Sequence, residues 1–222
     1  MSSLIFITEE DQVLTATDTL ATSPNGKPFM FTTKAFIVPH IQMIMCGTGM
    51  GGFLGKWFIE VNDRMVIRGI DNLDYHTPQV LHSFWQIYVK EYSLPENITT
   101  TVYHFGFSEE DGLVHTYVYR SINDFVSETL SYGIGIKPEC NSLEGLEFPK
   151  DIKKIMDEQR AIQLSRPDNE RVYFGGKIQI IHLTKSGFSV YTFGQFDDFE
   201  STKQAIFDNY DAQKRVQTNA HR

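Results

Sequence analysis

The β-type segments of this sequence come in neighbouring pairs joined by short turns, and this grouping constrains the fold more than any other feature. Three pairs are separated by glycine or acidic turn residues: 4–7 with 13–17, 100–107 with 113–119, and 177–183 with 188–193. Strands that alternate with helices predict a parallel sheet, whereas strands in successive hairpins predict antiparallel sheets. The sequence therefore predicts an α+β fold in which helices cover antiparallel sheets.

Three helices are predicted between these groups of strands. Large apolar side chains recur every four residues after a glycine cluster at 47–52: Phe53, Trp57, Val61 and Met65. A second helix is predicted to begin at Thr77–Pro78, because threonine is a good N-cap and proline is favoured at the first helical position. A third helix is predicted over 149–164, and two strands over 29–38 and 41–46 precede the glycine cluster.

Composition excludes several classes of protein. The chain has 222 residues, 41% of them hydrophobic, and a formal net charge of −8, which argues against binding to nucleic acid. No apolar run approaches the roughly 18 residues of a membrane helix, and the N-terminus lacks the features of a signal peptide. The two cysteines, Cys46 and Cys140, form no disulfide framework, so we expect a cytoplasmic protein.

We expect one domain over 1–222, with an ordered core over about 2–211 and a frayed polar tail over 212–222.

The glycine cluster admits three interpretations. Gly47, Gly49 and Gly52 match the G-x-G-x-x-G pattern of dinucleotide-binding loops, but the helix that follows leads to a second helix where that unit needs a strand. The cluster could form a tight turn from strand to helix, or its backbone N–H groups could face a developing oxyanion. If the glycine cluster binds a ligand in this way, the protein is a small-molecule binding module. None of the seven histidines has the spacing of a metal site, so neither a metal nor another cofactor is expected.

The N-terminus holds a candidate nucleophile. Ser2 follows the initiator methionine, which is generally removed before a small residue, so the mature chain should begin at Ser2. A free N-terminal serine combines a hydroxyl with an α-amine of ordinary pKa about 7.7–8.0. The amine can therefore act as general base for the hydroxyl of the same residue.

The spacing of two charged residues from Ser2 resembles a known family. Asp18, within the sequence Thr17–Thr22, lies 16 residues after Ser2, and Lys34 lies 32 residues after it. The proteasome β subunit and its bacterial relatives, which are N-terminal-nucleophile (Ntn) hydrolases, have an N-terminal Thr, an Asp in a D-x-x-A-[ST] motif and a Lys at the same intervals. The glycine turn at 47–49 and the stretch Tyr173-Phe174-Gly175-Gly176 are also similar to that family.

This resemblance implies a four-layer αββα sandwich of two antiparallel sheets flanked by helices, and it implies a role for each matching residue. Ser2 would be the nucleophile that attacks an amide or peptide carbonyl and forms an acyl-enzyme. Its amine would shuttle the proton, Lys34 would lower the pKa of that amine, and Asp18 would hold Lys34. The backbone amides of Gly47 and Thr48 would face the oxyanion.

The resemblance also implies a pocket and partners. The pocket walls would come from four positions, which are Leu20, Lys34, Cys46 and Met50. Their mostly apolar character favours an apolar acyl side chain on a peptide or small amide substrate. Because the family assembles into rings, we expect a homo-oligomer, and we expect no partnership with nucleic acid or membranes.

The chain departs from the family at three positions that support the nucleophile. The family's serine in a G-S-G motif aligns with Ile134, and its later Asp and Ser align with Arg171 and Phe174. These replacements keep a second hypothesis open, in which the protein is a non-catalytic proteasome-like subunit or scaffold.

Overall fold

The computed structural model describes residues 3–23, 26–141 and 145–220, with side chains described up to residue 211. The strands are β1 Leu4–Thr8, β2 Gln12–Asp18, β3 Leu20–Thr22, β4 Pro28–Phe31, β5 Ala35–Val38, β6 Met43–Thr48, β7 Thr101–Phe107, β8 Val114–Arg120, β9 Glu128–Thr129, β10 Gly133–Lys137, β11 Lys177–Thr184 and β12 Gly187–Gln195. The helices are α1 Gly51–Arg64, α2 Ile70–Glu91, α3 Ile152–Leu164 and α4 Phe199–Ala220. Short 3₁₀ turns occupy Pro39–Ile41, Ser121–Asn123 and Asp168–Glu170.

Two antiparallel sheets form the centre of the fold. The first sheet has the order β10-β1-β2-β11-β12, and the second has the order β5-β6-β7-β8-β9. Strands β3 and β4 form a separate small hairpin. The predicted hairpins are confirmed: β1 pairs with β2, β7 with β8, and β11 with β12, all antiparallel.

The sheets stack face to face, and helices cover their outer faces. Trp57 on α1 packs with Met45 of the second sheet in one apolar cluster. Phe6 and Phe105 meet between the two sheets, with ring centroids 4.9 Å apart. Met156 on α3 packs against the outer face of the first sheet in a third cluster. These three cores separate four layers, so the predicted αββα sandwich is confirmed.

Strand β1 shows how the sequence produces this layering. Leu4 and Phe6 belong to the core between the sheets, while Ile5 belongs to the core beneath α3. Successive side chains of a strand point to opposite faces, so a strand covered on both sides needs apolar residues at consecutive positions. The run Leu-Ile-Phe meets that requirement, and all three side chains are buried.

The predicted start of the second helix at Thr77–Pro78 is wrong. Helix α2 begins at Ile70, so this dipeptide lies inside it. The carboxylate of Glu109, in the turn between β7 and β8, accepts hydrogen bonds from the backbone N–H groups of Asp71 and Asn72 at 3.1 and 2.8 Å. The cap of α2 is therefore a tertiary contact from a distant turn, which local sequence does not reveal.

The predicted strand over 29–38 is two strands. β4 ends at Phe31 and pairs with β3, a strand that the sequence analysis did not predict, while β5 begins at Ala35 and joins the second sheet. Residues 32–34 connect the two, and Lys34 within this connection is buried. The chain changes sheets here, so a continuous β-type pattern in the sequence does not imply one continuous strand.

Residues 212–220 continue helix α4, where the sequence analysis predicted a frayed tail. Phe199 and Thr202 in its first turns are buried, whereas Phe207 and Tyr210 are exposed. Few of its positions face a core, so apolar periodicity is weak and does not indicate a helix. Residues 221–222 lie outside the described residues.

A histidine links α2 to the turn between β7 and β8 through two carboxylates. Nδ1 of His115 lies 2.7 Å from Oδ1 of Asp71, and its Nε2 lies 3.2 Å from Oδ2 of Asp111. The hydroxyl of Tyr117 also donates to Asp71, at 2.6 Å. Burial by itself lowers the pKa of His115, but the hydrogen bonds and charges of Asp71 and Asp111 outweigh it and raise the pKa above its ordinary value.

We expect the charged form of His115 to stabilise the fold in a pH-dependent way. Because its pKa is raised in the folded state, the stabilisation is complete below the ordinary pKa of about 6.5 and is lost as the pH rises through the raised value. The measurement is the free energy of unfolding by urea at several pH values, for the native protein and for His115→Gln. The gap between the two should shrink as the pH rises, while His76→Gln, at an exposed position, should show no such trend. A gap that is independent of pH would contradict this assignment.

Candidate functional site

A buried ion pair lies where the ends of the two sheets meet. Asp18 ends β2 in the first sheet, and Lys34 precedes β5 in the second. The Nζ atom of Lys34 lies 2.8 Å from both carboxylate oxygens of Asp18 and donates to the carbonyl of Leu20 at 2.6 Å. Asp18 is fully buried and Lys34 is 7% exposed. The structure thus brings together the two charged residues that the sequence analysis selected.

The carboxylate of Asp18 also holds three backbone N–H groups. Its Oδ1 accepts from the N–H of Ser3 at 2.9 Å, and its Oδ2 accepts from those of Leu20 and Gly175 at 3.1 and 2.9 Å. The N–H of Ser3 and the ammonium of Lys34 therefore share one carboxylate oxygen and lie within two hydrogen-bond lengths of each other. Asp18 ties the beginning of β1 to Lys34.

Ser3 is held from its side chain as well. Its hydroxyl donates to Oε1 of Gln159 on α3 at 2.7 Å, and the amide nitrogen of Gln159 donates to the carbonyl of Pro138. Ser3 and Gln159 are both fully buried. Neither residue was predicted from the sequence, although a glutamine four positions after Ile155, on the apolar face of α3, is a signal that a polar partner is needed there.

The glycine turn follows β6. Gly47 and Thr48 pair with Val102 and Thr101 of β7, and a Cβ atom on Gly47 would lie 2.5 Å from the carbonyl oxygen of Thr101. Gly49 has a φ of +97°, and a Cβ there would lie 2.3 Å from a backbone oxygen. Close approach of the backbone at Thr99–Thr101, just before and at the start of β7, therefore explains both glycines.

The dinucleotide interpretation of the glycine cluster is contradicted by the topology. Helix α1 leads directly into α2, and β6 and β7 on either side of this helical pair are antiparallel neighbours. A dinucleotide fingerprint needs a parallel βαβ unit. Thr48 and Gly49 instead line a small cavity of about 170 Å³, together with Lys137 and Val172.

The structure places the four predicted pocket positions in different surroundings. Cys46 is fully buried in the core between the sheets, and this burial raises the pKa of its thiol. Met50 is half-buried against the core beneath α1, and Lys34 is turned towards Asp18. Leu20 lines a different cavity, of about 120 Å³, from the one that Thr48 lines.

Strand register shows where the expected supporting position Ile134 lies. Ile134 pairs with Ile7, whereas Lys137 pairs with Leu4 at the beginning of β1. At about 3.3 Å per residue, Ile134 is several residues of strand away from Asp18 and Lys34. The residue of β10 that pairs with the start of β1 is therefore Lys137, and Ile134 lies farther along the strand.

The other two divergent positions have structural contacts. The guanidinium of Arg171 donates to the carbonyls of Gln163 and Leu164 at 3.1 and 3.0 Å, so it caps the C-terminal end of α3. Phe174 is 3% exposed and its ring lies 6.0 Å from that of Phe196 in the core beneath α3.

Ser2, the predicted nucleophile, lies outside the described residues. Among residues 3–23, 26–141 and 145–211, no three histidine, cysteine or acidic side chains are placed to hold a metal ion. None of the helices in the part of the chain that the structure describes has the length and apolar character needed to cross a membrane.

Comparison with known proteins identifies the fold. No protein-family model matches the chain, and no curated protein matches it in sequence. The structure is similar to that of Anbu (ancestral beta-subunit) from Yersinia bercovieri, with a TM-score of 0.58, 10% sequence identity, and coverage of 97% of this chain and 96% of that chain. At this identity the similarity concerns the fold alone. The chain therefore has the α+β sandwich fold of that β-subunit.

Proposed function

We propose that this protein is an Ntn amidohydrolase or peptidase in which Ser2, after removal of Met1, is the nucleophile. The observation that carries the proposal is the hydrogen bond from the N–H of Ser3 to Oδ1 of Asp18, an oxygen that also accepts from the ammonium of Lys34. Ser2 is covalently bonded to the nitrogen of Ser3, so this hydrogen bond supports a nucleophile within reach of Lys34. The spacing from Ser2 to Asp18 and Lys34 and the fold shared with an ancestral β-subunit add to this support.

The proposed reaction passes through an acyl-enzyme. The hydroxyl oxygen of Ser2 attacks the amide carbon as its proton moves to the α-amine of Ser2, which must be neutral to accept it. The positive charge of Lys34 favours that neutral amine. The tetrahedral oxyanion faces the backbone N–H groups of the turn at Gly47 and Thr48. The leaving amine takes the proton, an ester to Ser2 remains, and water hydrolyses that ester.

Labelling of the N-terminal residue tests this proposal. We expect the intact mass to show loss of Met1 without acetylation of Ser2, and a β-lactone to add one acyl group per chain. Ser2→Ala should abolish the labelling, while the control Ser186→Ala, in the exposed turn between β11 and β12, should be labelled like the native protein. Retention of Met1, acetylation of Ser2 or equal labelling of Ser2→Ala would each contradict the proposal.

A non-catalytic, proteasome-like subunit is the second candidate, and one observation favours it. The ammonium of Lys34 donates to both oxygens of Asp18 and to the carbonyl of Leu20. This geometry suits a structural ion pair that ties the two sheets together. A chain with free Ser2 that resists the β-lactone would favour this candidate.

We also propose that the protein forms a homo-oligomer, since its structural relative is named as a subunit. Light scattering coupled to size-exclusion chromatography measures the mass directly. A mass equal to that of one 25.5 kDa chain would contradict this proposal.

A further inference from the structure

A crevice opens at the edge where the two sheets face each other. Residues 130–132 cross there from β9 in the second sheet to β10 in the first. The crevice has a volume of about 420 Å³, enough for a group the size of an amino acid. Phe6 and Tyr103, whose ring centroids lie 5.5 Å apart, form its apolar floor. Arg120 and Lys137 line it from the two sheets.

Of the described residues that line this crevice, two are cationic and none is acidic. Arg120 forms an ion pair with Glu128, but within the described residues no carboxylate lies within ion-pair distance of Lys137. Lys137 is half-buried, and burial together with the charge of Arg120 lowers its pKa, although Glu139 and Glu128 oppose this effect. A half-buried cation that faces another cation is stabilised by an anion between them.

Tyr103 adds a hydrogen-bond donor to the same crevice. Only 2% of the residue is exposed, and its hydroxyl makes no hydrogen bond to any residue that the structure describes. Because Tyr103 lines the crevice, its hydroxyl is available to donate to a ligand there. Burial raises the pKa of this hydroxyl, so it keeps its proton and can donate.

Lys137 also connects the crevice to the candidate active site. It lines the smaller cavity beside Thr48 as well as the crevice itself, and it pairs with Leu4 at the start of β1. A ligand whose anionic group lies in the crevice can therefore extend past Lys137 towards the glycine turn.

We propose that this crevice binds a carboxylate group, with Lys137 and Arg120 supplying the charge and Tyr103 a hydrogen bond. The inference deepens the proposed function, because it implies that the substrates are amides that carry a carboxylate. That implication rests on the proposed function. The binding of a carboxylate does not itself depend on catalysis.

Three ligands of nearly the same shape test the proposal. N-acetylglutamate α-amide carries only a side-chain carboxylate, N-acetylglutamine carries only a terminal carboxylate, and N-acetylglutamine amide carries neither. Calorimetric titration of the full chain carrying Ser2→Ala measures their affinities without turnover, so failure of this proposal and failure of the proposed catalysis are distinguishable. We expect at least one carboxylate ligand to bind about tenfold or more tightly than the uncharged amide, and the preferred ligand identifies the source of the carboxylate.

Variants of the crevice complete the test. Lys137→Met should lose about tenfold or more in affinity for the preferred ligand, Lys137→Arg should retain most of it, and Lys203→Met on the exposed face of α4 should leave it unchanged. Thermal unfolding of each variant verifies that it folds, and Arg120→Met replaces Lys137→Met if the latter does not. Equal affinity of all three ligands, absence of binding by all three, or unchanged affinity in the variant would overturn the proposal.

Discussion

Asp18→Asn should lower the free energy of unfolding by about 3–5 kcal/mol, because it leaves the buried ammonium of Lys34 without a counter-charge. Asparagine also replaces one acceptor oxygen by an NH₂ group, which cannot accept the hydrogen bonds that Asp18 now receives. Those bonds come from Lys34 and from the backbone N–H groups of Ser3, Leu20 and Gly175. One substitution therefore loosens the start of β1, the end of β2 and the connection to β5 together.

Urea unfolding of Asp18→Asn, Lys34→Met and the double variant measures this effect. Each single variant buries an uncompensated polar or charged group, whereas the double variant removes both charges, so we expect it to recover part of the loss. Asp197→Asn is the matched control, because Asp197 pairs with Lys153 but its side chain is 98% exposed. We expect that control to change the stability by less than about 0.5 kcal/mol. Losses that simply add in the double variant would show that the two residues do not act as a pair.

Trp57→Ala should cost about 3–5 kcal/mol, because it empties the largest fully buried side chain of the core between α1, α2 and the second sheet. The indole N–H donates to Nε2 of His104 at 3.1 Å. Burial lowers the pKa of His104 to about 3, so the ring is neutral and accepts that bond. Nδ1 of His104 is buried without a partner among the described residues, so loss of Trp57 would leave both ring nitrogens unsatisfied.

Two further variants separate packing from hydrogen bonding at this position. Trp57→Phe keeps much of the aromatic volume and loses the N–H, so we expect a loss smaller than that of Trp57→Ala. Ile59→Ala, on the same helix and 46% exposed, serves as the control with an expected change below about 0.5 kcal/mol. Thermal or urea unfolding provides the measurement. Equal losses for the alanine and phenylalanine variants would assign the whole effect to the hydrogen bond and contradict a packing contribution.

Local patterns in the sequence predicted the hairpins because a strand pair with a short turn forms from neighbouring residues. The four-residue spacing of large apolar side chains predicted α1, and Phe53, Trp57 and Val61 are buried there, since apolar periodicity reports the buried face of a helix. The start of α2 was predicted wrongly because its cap, Glu109, is far away in sequence. Gln159 was missed because its partners, Ser3 and the carbonyl of Pro138, lie on two other elements.

The sequence by itself determined the antiparallel, helix-covered architecture and the intervals that selected Asp18 and Lys34 as partners. Tertiary structure alone decided that the carboxylate of Asp18 accepts hydrogen bonds both from Lys34 and from the backbone N–H of Ser3. It also decided that Lys137, not Ile134, faces the beginning of β1. The physical reason is that strand register and helix docking are fixed by packing between distant segments, and a shift of a few residues along a strand leaves the local pattern unchanged.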